Sequence, residues 1–294
     1  MILLFILFSA QVEVAPLFEI HGRLGIEYTR QETEVDSLYI THFWLHYGII
    51  DLTFHPHDKL KILYSNDLGV VRRFYAIFSY PHLKGNGDTP SPLKTLLPRN
   101  VNIGKFSIPF GQQIIDHTSL LEDNIGLGLN RDKTGIAGNY SYRRFNLSAG
   151  IFPIGETKLY TTTADMKLWA FDIGMGYLLE ETEYKQVNRE YYEYYNKLFI
   201  PFRISLLAKC IYGRRLNTHL LGYAILGELP IFPLISPFAE YEGLKNSDLL
   251  SRIGVGVNSI IMQGAMIRVG YYLYSEKQEE VKNNILSLML IVEW

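Results

Sequence analysis

The chain has 294 residues, with 28 Lys and Arg against 30 Asp and Glu and a net charge of −2, so it offers no basic surface for nucleic acid. Aromatic residues reach 14%, led by 21 Tyr and 16 Phe, yet mean hydropathy is only +0.03. Beyond the N-terminus no run approaches the roughly 18 consecutive apolar residues of a spanning helix, which excludes a helical membrane protein. Cys210 is the only cysteine, so no internal disulfide forms.

In chain order, Ile2 to Phe8 is an apolar run followed by Ser9 and Ala10. This is the shape of a short signal-peptide core, although no Lys or Arg precedes it. Residues 1–10 are therefore expected to be a signal peptide, and 11–294 a single domain. In the next segment Phe18, Ile20, Gly22, Leu24, Ile26 and Tyr28 alternate with Glu19, His21, Arg23, Gly25 and Glu27. Strand side chains alternate between faces, so one face is apolar and the other charged. Such a strand suits a soluble sandwich whose charged face meets bulk water, or a barrel whose charged face lines the lumen.

Further strands are expected at about 38–54, 59–66, 71–80, 99–108, 134–142, 145–153, 167–179, 197–212, 217–229, 235–243, 250–259, 264–275 and 283–294. With the first, these make about fourteen (range 12–16), most near the nine to eleven residues that cross a bilayer at a tilt. Connections at 55–58, 143–144 and 230–234 read as tight turns. Those at 30–37, 109–133, 154–166, 243–249 and 276–282 read as longer loops. Pro81 to Pro98 and Glu180 to Asn196 are long where short turns are due, which marks either insertions or a missed strand pair. In the last strand Leu286, Leu288, Leu290, Val292 and Trp294 share one wholly apolar face, as the closing strand of a barrel in lipid requires. The fold expected is all-β: a transmembrane antiparallel up-and-down β-barrel with both termini on the periplasmic side. Cys210, beside Ala208 and Tyr212, falls on the lipid face of a strand, with no electropositive neighbour to activate it.

Three stretches resemble the Gram-negative outer-membrane porins of the phosphate-selective O and P type. Ser37 to Leu68, with His57-Asp58-Lys59-Leu60-Lys61-Ile62-Leu63-Tyr64, is similar to that family's second and third strands. Ile103-Gly104-Lys105-Phe106-Ser107-Ile108-Pro109-Phe110-Gly111, followed by Arg131 and Gly135, resembles its Gly-Lys/Gln-Phe-x-x-Pro-Phe-Gly segment. Pro237-Phe238-Ala239-Glu240-Tyr241-Glu242, with Gly254, Gly256 and Asn258, resembles its Pro-x-x-Arg-Tyr-Asp and Gly-x-Asn pairing. The resemblance implies a porin barrel in the bacterial outer membrane. This chain has Glu240 where the family pattern has Arg, so phosphate selectivity does not follow.

Sorting strands by their apolar face leaves Glu19, Arg23, Glu27, Arg73, Asp172, Arg203, Lys209, Glu228, Glu240, Glu242, Arg252 and Arg268 pointing inward. Six acids and six bases suit a water-filled pore without a strong preference of sign; they equally suit a narrow barrel plugged by its own ion pairs. The resemblance implies that the segment from Gly111 to Lys133 folds into the lumen as a constriction loop, with Asp116, His117, Glu122, Asp123, Arg131 and Lys133 facing solute. An exposed loop is the alternative.

His42 and His46 lie about 13 Å apart at strand rise, too far to share one metal. His55 and His57 flank a turn proline. No Gly-x-Ser-x-Gly, phosphate loop or paired-Cys motif occurs, so no enzyme, metal or cofactor is expected. The function expected is passive diffusion of small hydrophilic solutes or ions across the outer membrane. The alternatives are a closed barrel with a structural or adhesion role and, third, an outer-membrane hydrolase. Expected partners are outer-membrane lipid, the barrel-insertion machinery acting on the C-terminal strand, permeating solutes or ions, and further copies in a homo-oligomer; nucleic acid is not among them.

Overall fold

Period-two alternation gives most strands one apolar and one mixed face, and in lipid a sheet built this way satisfies its backbone by closing on itself. A computed structural model describes residues 18–32, 39–67, 70–79, 98–110, 132–182, 186–200, 204–216, 218–230, 234–245, 249–276 and 284–293. These contain sixteen strands: β1 (Phe18–Glu32), β2 (Tyr39–His57), β3 (Leu60–Asp67), β4 (Val70–Ser79), β5 (Asn100–Ser107), β6 (Asp132–Tyr142), β7 (Phe145–Ile154), β8 (Thr157–Leu168), β9 (Phe171–Thr182), β10 (Val187–Ile200), β11 (Ile204–Arg215), β12 (Thr218–Glu228), β13 (Ile235–Lys245), β14 (Leu249–Met262), β15 (Ala265–Glu276) and β16 (Ile285–Glu293). Each pairs antiparallel with its neighbours in sequence, and β1 pairs with β16 from Arg23↔Glu293 to Gln31↔Ile285, closing the barrel.

The count is sixteen rather than about fourteen because two expected loops are strands. The stretch 154–166 contains most of β8, whose outward residues include Thr162 and Ala164 and so show little apolar alternation. The stretch 180–196 contains most of β10, which carries charge on both faces through Glu190 and Glu193. The start of β1 and the end of β16 share one rim, here called the terminal rim; the opposite one is the far rim. Among the described residues two-residue connections occur at both: 58–59, 143–144, 169–170 and 263–264 at the terminal rim, and 155–156 at the far rim. The tight turns expected at 55–58 and 143–144 are thus present at the terminal rim, whereas a two-residue turn at 155–156 stands where a long loop is expected at 154–166.

The outward face is a continuous apolar band that includes Phe74, Ile136, Ile151, Met175, Ile225, Ile253, Val255, Leu286 and Leu288, all exposed. Cys210 is exposed on this face, opposite Tyr194 and Tyr223. No helix among the described residues is long and apolar enough to cross a membrane. Strand β2 overhangs β3, since the last pair between them is Ile49↔Asp67. Asp67 closes that step, because the amide of Gly48 donates to Asp67 Oδ1 at 2.8 Å while Arg72 Nη2 lies 2.6 Å from its other oxygen.

Candidate functional site

The inward faces of β6–β15 mix glycines with aromatics, and the two are matched across strands. Phe152 covers Gly135 and Gly150, Tyr195 covers Gly174, Tyr191 covers Gly213, Phe238 covers Gly256, and Tyr272 covers Gly254 and Gly270. A Cβ on Gly174 would sit 2.2 Å from the Tyr195 ring. The rings lie along the wall because the glycines leave room for them, shielding backbone that would otherwise be bare. Gly104 is required for a different reason. Its φ is +130°, and a Cβ there would meet Phe74 O at 2.3 Å.

One side of the lumen is dry. Phe106, Ile108, Phe110, Phe152, Leu159, Leu178, Tyr191, Leu207, Ile211, Leu220 and Leu244 form a buried apolar cluster on the inside of β5–β13 and the three residues after β5. Set into this wall are charges that have found each other. Lys209 Nζ lies 3.4 Å from Glu193 Oε2, with side-chain exposures of 2% and 0%. Arg252 sits between Glu240 (2.7 Å) and Glu242 (3.3 Å) and over the Tyr272 ring; Arg268 reaches Glu240 at 3.4 Å and stacks on Phe238 at 4.0 Å. In a dry setting such pairs are retained because each charge needs its partner, whatever their net contribution to stability.

The other side is wet. A cavity of about 800 Å³ against β1–β4 and the β14–β15 turn is lined by His21, Arg23, Asp51, Ser65, Arg72, Arg73, Gln263 and Glu293, among others. Three guanidiniums there face two carboxylates. Arg23 pairs with Glu293, each 51% exposed. Arg73 Nε lies 3.1 Å from Asp132, which also accepts from Ser107. Glu19 is flanked by His55 at 3.0 Å and His21 at 3.7 Å.

Of the inward charges expected from sequence, Glu19, Arg23 and Arg73 lie on this wet side. Glu27, Lys209, Glu240, Glu242 and Arg252 are buried, with Glu27 accepting from Ser287 Oγ at 2.6 Å, and Arg268 joins the Glu240 cluster. Asp172 lies opposite Lys167 and Lys197 in register. Glu228 accepts from Asn258 Nδ2 at 3.1 Å. Arg203 lies outside the described residues, as do Asp116, His117, Glu122, Asp123, Arg131, Trp294 and residues 1–10. Lys133 lies on β6 opposite Phe106.

Between His42 and His46 the β1–β2 register shifts, since Leu45 pairs with Ile26 and Tyr47 with Gly25. His55 turns to Glu19, whereas His57 Nδ1 accepts from the Lys59 amide at 3.1 Å. No group of three metal-ligating side chains occurs among the described residues. Sequence reasoning missed His21, Asp51, Arg72 and Glu293 as cavity residues. His21, Asp51 and Glu293 alternate with apolar neighbours and could have been sorted inward. Arg72 could not, since the register shifts between Ser65 and Asn66.

No family model matches the chain, and no curated protein does. Solved structures do. The in-vitro folded trimer form of OmpT, an outer-membrane protein of Vibrio cholerae, superposes with a TM-score of 0.72 at 10% identity over 94% of this chain and 99% of that one. The outer-membrane channel DcaP of Acinetobacter baumannii gives 0.70 at 10% identity over 97% and 100%. An anion-selective porin from Comamonas acidovorans gives 0.67 at 10% identity over 94% and 99%. What this chain shares with them is the fold: it is a porin-type closed β-barrel.

Proposed function

We propose that this protein is an outer-membrane channel for passive diffusion of small hydrophilic solutes or ions, without enzymatic activity. The observation that carries the reading is the wet side of the lumen, where Arg23 and Glu293 are half exposed inside a barrel whose outer face is apolar. Sixteen strands enclose a lumen wide enough for water. Fixed charges of both signs let hydrated solutes pass without a steep electrostatic barrier. A channel and a porin among the structural neighbours support the same reading, and a trimeric neighbour supports a homo-oligomer. Kinship with the phosphate-selective O and P porins rests on the three sequence motifs. Insertion through the C-terminal strand rests on the apolar face of β16.

A second reading, a closed structural barrel, is favoured by the dry wall, where inward charges are consumed in buried pairs. Single-channel recording in a planar bilayer separates the two. Stepwise conductance is expected, and Arg23→Glu with Arg73→Glu should move the reversal potential toward cation preference, because little bulk water screens these charges. A folded barrel that inserts without conducting would transfer the conclusion to the closed reading.

A further inference from the structure

We propose that the β6–β7 and β8–β9 turns at the terminal rim form a binding site for the headgroup of an anionic phospholipid, with Arg143 and Arg144 taking the phosphate and Trp169 at the headgroup–acyl boundary. Trp169 is 95% exposed and has φ +52°. A two-residue hairpin turn with positive φ favours Gly, Asn or Asp, so the indole is neither the local backbone choice nor buried by the protein. Arg143, in the neighbouring turn, also has positive φ, and its guanidinium lies 5.4 Å from the Tyr142 ring centroid. The two turns are fastened together, since the amide of Lys167 donates to the Arg144 carbonyl at 2.8 Å. The turn that carries Trp169 and the turn that carries Arg143 and Arg144 are therefore held side by side.

Charge identifies the occupant. At the outward positions of β6–β9 the acids are Asp132, whose carboxylate is taken up by Arg73 and Ser107, and Glu181, both at the far rim. The terminal rim of this sector thus offers cations and an aromatic above exposed Phe145, Leu168 and Phe171, with no carboxylate competing for the arginines on that face. Tryptophan prefers the interfacial layer, and arginines beside an anionic leaflet are drawn to its phosphates. The site rests on the membrane-spanning reading but not on whether the barrel conducts.

The test uses the full chain folded into liposomes of phosphatidylcholine with or without phosphatidylglycerol. Trp44→Phe with Trp294→Phe leaves Trp169 as the sole indole, and quenching by brominated phosphatidylglycerol is compared with quenching by brominated phosphatidylcholine. Local enrichment of the anionic lipid by roughly threefold to fivefold is expected. Arg143→Gln with Arg144→Gln should bring the ratio to unity, as should about 1 M salt, where the Debye length is about 3 Å. Thermal unfolding of the native sequence and the double Arg variant gives a second readout, with phosphatidylglycerol raising Tm only for the former. An inserted barrel whose Trp169 is quenched equally by both lipids, or by neither, with no headgroup-dependent Tm, overturns the site alone. A chain that enters neither vesicle overturns the membrane reading with it.

Discussion

At Leu288 two environments meet one residue apart. Its side chain is 44% exposed on the outer band, while Ser287 and Met289 on either side are buried in the lumen face. Leu288→Arg places a cation in the apolar band and is expected to cost about 2–4 kcal/mol near mid-membrane. Arg268→Leu is not the mild control that face assignment alone suggests, because Arg268 is a partner of buried Glu240, and removing one member of a buried pair leaves the other uncompensated. The suitable control is Arg23→Gln. Its pair with Glu293 is half exposed and should contribute less than about 1 kcal/mol. Urea unfolding from liposomes measures both, and equal tolerance of the two substitutions would contradict the assignment of faces. The same burial rules out charge reversal at Glu240 and Glu242 as a selectivity test, since it would surround Arg252 with like charge.

Among the elements, the step from β2 to β3 depends on one side chain. Asp67 accepts from Gly48 and pairs with Arg72 where the ladder stops, so Asp67→Ala orphans two donors at once. A loss of about 1–3 kcal/mol is expected, with faster hydrogen exchange at the Gly48 amide. Asp67→Asn keeps an acceptor and should cost less. Most strands were legible because their outward residues are large and apolar, as in β1, β14 and β16. Strands β8 and β10 were not, for opposite reasons: β8 presents threonines and an alanine outward, and β10 places tyrosines and acids on both faces, so period-two contrast vanishes in each. The Pro237 to Glu242 and Gly254 to Asn258 motifs were legible as a pair, and the structure gives the reason. Phe238 and Glu240 stand opposite Gly256 and Gly254, which make room for them. The burial of Lys209, Arg252 and their acids was not legible, because alternation reports which face a residue occupies and not whether water reaches it.

At the scale of the whole molecule, the lumen is lopsided. Charged, accessible walls occupy β1–β4, while most of the remaining circumference is packed with apolar side chains and paired charges. If the barrel conducts as proposed, the accessible cavity against β1–β4 and the β14–β15 turn places the solute route off-axis, and conductance should fall well below that of a hollow barrel of the same strand number. This arrangement has a calorimetric counterpart. The outer band contacts apolar solvent before unfolding in detergent and can remain in it afterwards, so it adds little to the heat capacity change. The lumen cluster around Phe152, Leu178 and Ile211 instead passes from a dry interior to water, and exposed apolar area raises heat capacity by about 0.45 cal/K/mol per Å². Scanning calorimetry of the detergent-folded barrel is expected to show an unfolding enthalpy that climbs with temperature. An enthalpy independent of temperature would mean that the wall is hydrated. A barrel of this kind carries inside its lumen the thermodynamic signature of a water-soluble protein, and below its temperature of maximum stability it should lose stability on cooling more steeply than a hollow one.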